Sequence, residues 1–122
     1  MEKKKILLIE DNPDFIVIVS RYLEKAGYSV MTAPDGKSGL EKARKDGPDL
    51  IILDLMLPEL NGYKVCELLK TDPEYKNIPI IMLTGREEEI EKKVGQEMGA
   101  DRYLTKSADL EKLIPAVGEL LS

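Results

Sequence analysis

The sequence predicts an α/β fold in which helices cover both faces of a parallel sheet. The first observation is that Leu50–Leu53, four apolar residues, run directly into Asp54. An uninterrupted apolar run indicates a strand buried on both faces, and its charged residue must lie at the end, because a charge in the interior would be left unpaired. The second observation is that such segments alternate with helical segments along the chain. This alternation favours parallel strands joined by right-handed crossovers.

The first two predicted helices are bounded by ordinary start and stop residues. The first begins at Asn12 and Pro13, where Asn12 or Asp11 can cap free N–H groups and proline fits the first turn, and it ends at Gly27. A turn at Asp35-Gly36 precedes the second helix, which ends near Gly47. In the first helix, apolar residues recur at helical spacing: Phe15, Val19, Tyr22, Leu23 and Ala26.

The other three helices are predicted from the spacing of their apolar residues. The third follows Asn61-Gly62, and the fourth, residues 87–98, is rich in charge. The third helix is expected to bury Val65, Cys66, Leu68 and Leu69. The last helix is capped by Asp109 and carries Pro115 within its apolar stripe, where proline removes a hydrogen bond and crowds the carbonyl of Glu111. We therefore expect a kink or a locally open turn near Glu111.

Five strands alternating with five helices predict a flavodoxin-like, doubly wound parallel sheet with the strand order 2-1-3-4-5. The strands are expected at residues 6–9, 28–33, 50–53, 78–83 and 101–105. No internal repeat or linker divides the chain, and 122 residues suffice for one hydrophobic core. We therefore expect residues 1–122 to form a single domain.

The composition argues against several classes of function. The net charge of −5 argues against direct binding to nucleic acid, and no apolar run approaches the roughly 20 residues of a membrane span. Cys66 is the only cysteine, so an intramolecular disulfide is impossible and a cytoplasmic location is expected. The chain has no histidine. Oxygen atoms must therefore bind any metal, which favours magnesium, manganese or calcium over zinc.

Polar residues follow four of the predicted strands, at the edge of the sheet where all carboxyl ends meet. They are Glu10 and Asp11 after the first strand, Asp54 after the third, Thr84 after the fourth and Lys106 after the fifth. The first and third strands are neighbours in the predicted order, so three carboxylates should lie close together, where Mg²⁺ would relieve their repulsion. With a lysine and a hydroxyl nearby, this site has the nucleophile, metal and donors needed to receive a phosphoryl group.

The same residues carry a resemblance to a known family. Over essentially its whole length the chain resembles the receiver domain of two-component response regulators. The matching segments are Glu10-Asp11, residues 54–58, Asn61-Gly62, Thr84-Gly85 and residues 99–106. The resemblance implies a signalling phosphoacceptor rather than an enzyme, one that promotes only its own phosphotransfer and dephosphorylation.

The resemblance also implies a role for each site residue. Asp54 would accept a phosphoryl group from the phosphohistidine of a sensor histidine kinase or phosphotransfer protein, or from a small phosphodonor. Asp11, Asp54 and the carbonyl of Met56 would bind Mg²⁺ directly, and Glu10 would act through a water molecule. The phosphoryl oxygens would be contacted by Lys106, Thr84 and the backbone of Gly85.

The resemblance further implies how the signal leaves the domain. Tyr103 matches the family's switch aromatic, which turns inward when the threonine moves; from the residues alone it would be a half-exposed strand aromatic. The fourth helix, the fifth strand and the last helix would form the surface for an effector protein or for a homodimer. Three positions depart from the family's commonest pattern: Glu10 replaces aspartate, Gly85 replaces alanine and Ser107 replaces proline.

Three other functions compete for the same residues. A phosphatase of the haloacid dehalogenase type needs a second acid two residues after its nucleophile, where Met56 stands. A flavodoxin needs a glycine- and hydroxyl-rich loop after the first strand, where residues 10–13 read Glu-Asp-Asn-Pro. The third alternative is a receiver-like interaction module that does not switch by phosphorylation. Loss of Asp11, Asp54 or Lys106 would mark such a module, and all three are present.

Overall fold

A computed structural model describes residues 2–85, 99–106 and 109–122, except for the side chain of Thr84. The strands are β1 Lys5–Ile9, β2 Ser29–Ala33, β3 Leu50–Leu53, β4 Ile80–Thr84 and β5 Arg102–Thr105. The helices in these ranges are α1 Pro13–Lys25, α2 Gly36–Asp46, α3 Gly62–Lys70 and α4 Leu113–Leu121, with a 3₁₀ turn at Leu110–Lys112. The helix predicted over residues 87–98 lies outside the described residues, as does Ser107.

The five strands form one parallel sheet in the order β2-β1-β3-β4-β5, as predicted. Strand β1 lies between β2 and β3, so that Ile9 is paired with Ala33 on one side and with Leu53 on the other. The connection after β1 leads to β2 and the connection after β3 leads to β4, in opposite directions along the sheet, so the topological switch point lies between β1 and β3. Ligands bind at such a point in open α/β sheets, beyond the carboxyl ends of the strands.

Buried side chains form a separate hydrophobic cluster on each face of the sheet. Successive strand residues point to opposite faces, so Ile6 and Leu8 belong to one cluster while Leu7 and Ile9 belong to the other. The first cluster is covered by α1 and α4 through Val19, Leu23, Leu113, Ala116 and Val117. The second is covered by α2 and α3 through Ala43, Val65, Cys66 and Leu69. The predicted doubly wound architecture is therefore confirmed.

Some side chains predicted to lie in the core are not buried. Tyr22 is 51% exposed, and Leu68 is only partly buried. The inner face of α1 is occupied by Val19 and Leu23, which are four residues apart and fully buried. Because neighbouring positions on a helix lie about 100° apart, Tyr22 falls beside this narrow stripe rather than within it.

Asp35 and Gly36 belong to the start of α2 rather than to a turn that precedes it. Gly36 is the first residue of α2, and the Asp35 carboxylate accepts a hydrogen bond from Ser38 N–H at 2.7 Å. Asp35 is therefore the N-cap of α2, a position that aspartate favours because its oxygen satisfies a free N–H of the first turn. Strands β2, β4 and β5 also begin one or two residues later than predicted.

The expected interruption near Glu111 is confirmed as the 3₁₀ turn Leu110–Lys112. The α-helix proper begins only at Leu113, which places Pro115 in its first turn. Backbone N–H groups there have no partner within the helix, so proline is tolerated.

Asp109 is the N-cap residue of this 3₁₀ turn, as predicted, but its side chain makes no capping hydrogen bond. The Asp109 carboxylate turns back and accepts hydrogen bonds from the N–H and Oγ1 of Thr105, both at 3.0 Å. These bonds, together with one from Lys112, hold the pKa of the Asp109 carboxyl below its usual range. They tie the end of β5 to the beginning of the last helical segment.

Candidate functional site

Three carboxylates meet at the carboxyl ends of β1 and β3. The strand pairing continues one residue beyond each strand: the N–H of Glu10 donates to Ala33 O, and the N–H of Asp54 donates to Ile9 O, both at 3.0 Å. One ligand atom from each of Glu10, Asp11 and Asp54 lies within 4.8 Å of the others. The predicted meeting of these three residues is therefore confirmed.

The burial of the three carboxylates differs. Glu10 and Asp54 are only 2% and 5% exposed, whereas Asp11 is exposed to solvent. Carboxylate oxygens are the hard ligands that Mg²⁺ prefers, and an open side leaves room for the waters that this ion retains. The residues present therefore fit a magnesium ion.

Lys106, directly after β5, supplies the cation of the site. Its Nζ lies 2.7 Å from Glu10 Oε2 and 3.6 Å from Asp54 Oδ2, and its side chain is 21% exposed. The lysine therefore pairs more closely with Glu10 than with Asp54. Pairing gives two buried carboxylates a compensating charge, which they need because an unpaired buried charge is strongly destabilising.

Burial raises the pKa of Asp54, and the neighbouring Glu10 carboxylate acts in the same direction, bringing it to about 6. The Lys106 ammonium and the N–H of Met56, 3.4 Å from Asp54 Oδ1, oppose this shift. Perturbed pKa values of this kind are typical of functional sites, where desolvation and close charges are combined. A further positive charge in the site, such as a metal ion, would therefore stabilise the ionised form of Asp54.

The start of α1 orders the Glu10 side chain. Asn12 Oδ1 accepts hydrogen bonds from the N–H groups of Asp14 and Phe15 at 3.0 and 3.2 Å, so Asn12 rather than Asp11 is the cap of α1. The Asn12 N–H in turn donates to Glu10 Oε1 at 3.2 Å. One glutamate oxygen therefore faces the helix start while the other faces Lys106.

Phe15 is a neighbour of the site that was not predicted from the sequence. The Lys106 Nζ lies 4.3 Å from the centroid of the Phe15 ring, within the range of a cation–π contact. The sequence places Phe15 in the helical apolar pattern, and its ring is indeed partly buried against the cluster on the α1 face. Its place in the first helical turn after the acidic pair is the one sequence signal that could have indicated the contact.

The loop after Asp54 folds tightly under the site. The N–H of Gly62 donates to Leu55 O at 3.0 Å, and a Cβ atom at Gly62 would lie 2.2 Å from Asp54 O. Only glycine fits there, because the backbone of α3 approaches the backbone of Asp54 directly. Met56, whose carbonyl was predicted to bind the metal, is exposed on this loop.

The remaining predicted site residues lie at the end of β4, directly after it and within β5. Thr84 is the last residue of β4, paired with Thr105, and Gly85 follows it at the surface. Tyr103 is only 6% exposed and packs in the cluster on the α2 and α3 face. The interpretation of Tyr103 as a half-exposed strand aromatic is therefore wrong.

Cys66 is a core residue, as predicted. Its side chain is fully buried in α3, and burial raises the pKa of its thiol to about 11. The thiolate is the reactive form of cysteine, so this residue is inert at neutral pH.

Comparison with known proteins decides between the families that could use such a site. The model of the response regulator receiver domain matches residues 6–118. The chain belongs to this family. The receiver is 46% identical over 103 residues, 84% of its length, to the alkaline phosphatase synthesis transcriptional regulatory protein PhoP of Bacillus subtilis, of which it spans only 42%.

Other relatives match the receiver along their whole length. It is 35% identical to protein PilH of Pseudomonas aeruginosa, with 97% of the receiver and 98% of PilH covered. A crystal structure of a putative response regulator from Chloroflexus aurantiacus superposes with a TM-score of 0.93 at 32% identity, covering 98% of each chain.

Membership settles the class of function. The chain is a receiver domain of the two-component response regulators, which are signalling phosphoacceptors and not classical enzymes. The phosphatase and flavodoxin alternatives are thereby excluded. None of the helices in the described ranges has the length and apolar character of a membrane span.

Proposed function

We propose that Asp54 accepts a phosphoryl group from the phosphohistidine of a sensor histidine kinase or phosphotransfer protein, in the cytoplasm, and that this modification controls a partner protein. The observation that carries the proposal is the buried meeting of Asp54 with two further carboxylates and Lys106 at the switch point of the sheet. A merely structural Asp–Lys pair would not need three carboxylates, because each added like charge costs stability.

The proposed transfer is a simple displacement at phosphorus. A carboxylate oxygen of Asp54 forms a new P–O bond while the P–N bond to the donor imidazole breaks, and the leaving nitrogen keeps the electron pair and takes a proton. Asp11, Asp54 and the Met56 carbonyl would hold Mg²⁺ directly, with Glu10 acting through water. The metal would reduce the repulsion between the attacking carboxylate and the negative phosphoryl oxygens.

The remaining residues would stabilise the phosphoryl group. Lys106 already lies 3.6 Å from Asp54, so its ammonium can reach an oxygen of a group attached there. Thr84 and the backbone of Gly85 would donate to further oxygens. Donors placed where charge accumulates are the main source of catalysis in phosphoryl transfer.

The signal would leave through residues 87–98, β5 and α4, by movement of Thr84 and the switch aromatic Tyr103. Thr84 and Tyr103 belong to adjacent strands, with Met82 paired to Tyr103 and Thr84 to Thr105. A groove of about 340 Å³ lies along β5 and α4, lined by Arg102, Leu104, Lys112, Pro115, Ala116 and Glu119. An effector protein or a second copy of the chain would bind this surface.

The proposal is tested by incubating the protein with a small phosphodonor and Mg²⁺ and measuring its intact mass. The parent should gain one acid-labile phosphoryl group, and Asp54→Asn should gain none, because an amide is a poor nucleophile. Asp14→Asn, which removes an exposed carboxylate from the first turn of α1, is the matched control and should be modified like the parent. Equal modification of Asp54→Asn would show that another residue is the acceptor, and an unmodified parent would favour the non-switching interaction module.

A further inference from the structure

The ammonium of Lys106 has a neutral aromatic partner in addition to its carboxylates. Its Nζ lies 2.7 Å from Glu10 Oε2, 3.6 Å from Asp54 Oδ2 and 4.3 Å from the centroid of the Phe15 ring. The negative face of an aromatic ring attracts a cation at this distance, more strongly where water is partly excluded. The Lys106 side chain is 21% exposed, so the contact is partly shielded.

The ring is held in place independently of the lysine. Phe15 lies in the first turn of α1, where its N–H donates to Asn12 Oδ1 at 3.2 Å. Its ring packs against the hydrophobic cluster between the sheet and α1. Asn12 also binds Glu10 Oε1 through its own N–H. A single short segment, residues 10–15, therefore fixes both the carboxylate and the ring that contact Lys106.

We propose that Phe15 is a positioning residue for Lys106: its ring holds the ammonium beside Asp54 through a cation–π contact. A carboxylate alone would be a poor means of holding the Lys106 ammonium beside Asp54. Lysine is a flexible point charge, and the closer carboxylate draws it towards Glu10 and away from Asp54. The ring keeps its position and its attraction when the charges on the carboxylates change. The functional part of this proposal rests on the proposed role of Lys106 at the phosphoryl group.

The first test uses NMR of the metal-free protein. In the parent, the Hε protons of Lys106 should be shifted upfield by the ring current and should be separate, because the side chain is restrained. Phe15→Leu keeps an apolar side chain and should abolish the upfield shift and merge the two signals. Phe15→Tyr keeps an aromatic ring and should show the same upfield shift and the same two separate signals as the parent. Unchanged Lys106 signals in Phe15→Leu would overturn the proposal, whether or not the domain is phosphorylated.

The second test measures the affinity for beryllofluoride, a phosphoryl mimic, with Mg²⁺ present. Phe15→Leu should bind it roughly three- to tenfold more weakly and Phe15→Tyr like the parent, as expected for the loss of one partly shielded cation–π contact. Tyr28→Leu is the matched control, because it removes another partly buried aromatic ring from the same cluster. An equal loss in Tyr28→Leu would show that Phe15 acts only through packing and would overturn the proposal.

A variant that preserves the ring shape covers the case in which Phe15→Leu does not fold. Replacing Phe15 by 3,4,5-trifluorophenylalanine removes most of the negative charge from the ring face while retaining its packing. Weaker beryllofluoride binding by this protein would support the proposal, and unchanged binding would overturn it. A parent that binds no beryllofluoride would instead contradict the proposed function, while the Lys106 signals would still decide on the ring contact.

Discussion

At the scale of single residues, Asp54 is set apart from the other carboxylates by its surroundings rather than by its chemistry. Burial and the nearby Glu10 make its charged form costly, and Lys106 compensates only in part. Asp11, which belongs to the same cluster, is exposed. In the absence of a metal, the folded protein should therefore prefer a protonated Asp54 over a wider pH range than the unfolded chain does.

This preference predicts a pH dependence of stability. The folded pKa of Asp54 is raised from 3.8 to about 6. Its contribution to stability is thus complete below pH 4 and is lost as the pH rises through 6. The amide of the Asp54→Asn variant does not titrate, so the free energy of unfolding of the parent should fall relative to that of the variant by roughly 2 kcal/mol between pH 4 and 7. Urea unfolding of both proteins without divalent ions measures this difference. Parallel pH profiles would contradict the raised pKa.

The positions of the site residues could be predicted from the sequence, but their contacts could not. Glu10, Asp11, Asp54 and Lys106 were expected to meet because each follows an apolar strand, and parallel strands share one carboxyl edge. The closer pairing of Lys106 with Glu10 depends on side-chain conformations that no local pattern encodes. The Phe15 contact, likewise, joins residues that are distant in the sequence.

At the scale of elements, the helices were predictable where a cap or a stop residue bounds them. Asn12, one of the two expected caps, caps α1, whereas Asp35 was assigned to a turn because Asp-Gly is typical of turns as well as of helix starts. The late start of α4 follows from Pro115, which was predicted to disturb the helix. The Asp109 carboxylate accepts a hydrogen bond from the N–H of Thr105 instead of capping the helix, and the capping rule alone does not predict this contact.

The loop between β3 and α3 is the element whose packing most directly affects the site. An alanine at Gly62 would place its Cβ 2.2 Å from Asp54 O and must displace the backbone beside the acceptor. We expect Gly62→Ala to lower the free energy of unfolding by about 1–3 kcal/mol or more and to slow the phosphorylation of Asp54.

Gly118→Ala is the control for this change. It lies inside α4, where an added Cβ meets no atom within 4 Å, so alanine should raise the free energy of unfolding by about 0.5–1 kcal/mol through its higher helix propensity. Chemical denaturation, together with intact-mass time courses, measures both effects. Equal stabilities of Gly62→Ala and the parent would show that the loop adjusts freely.

At the scale of the whole molecule, the two edges of the sheet lie at different distances from β4. Strand β5 is an edge strand, paired only with β4 in the described sheet, and α4 packs beside it over the cluster that also holds α1. A displacement at the end of β4 therefore reaches β5 through direct pairing, whereas β2 at the opposite edge is separated from β4 by two strands. A displacement at the end of β4 therefore has a shorter path to β5 than to β2.

The final prediction concerns this route. Beryllofluoride and Mg²⁺ at Asp54 should change amide chemical shifts at the end of β4, in residues 87–98, along β5 and at the start of α4. Strand β2 should change little, because its distance from β4 isolates it. Two-dimensional ¹H–¹⁵N NMR of the parent gives the map, and Asp54→Asn with the same additions is the control and should show no such changes. Shifts confined to the loops around Asp54 would contradict a partner surface on residues 87–98, β5 and α4, because a surface that does not respond to the acceptor cannot transmit its state.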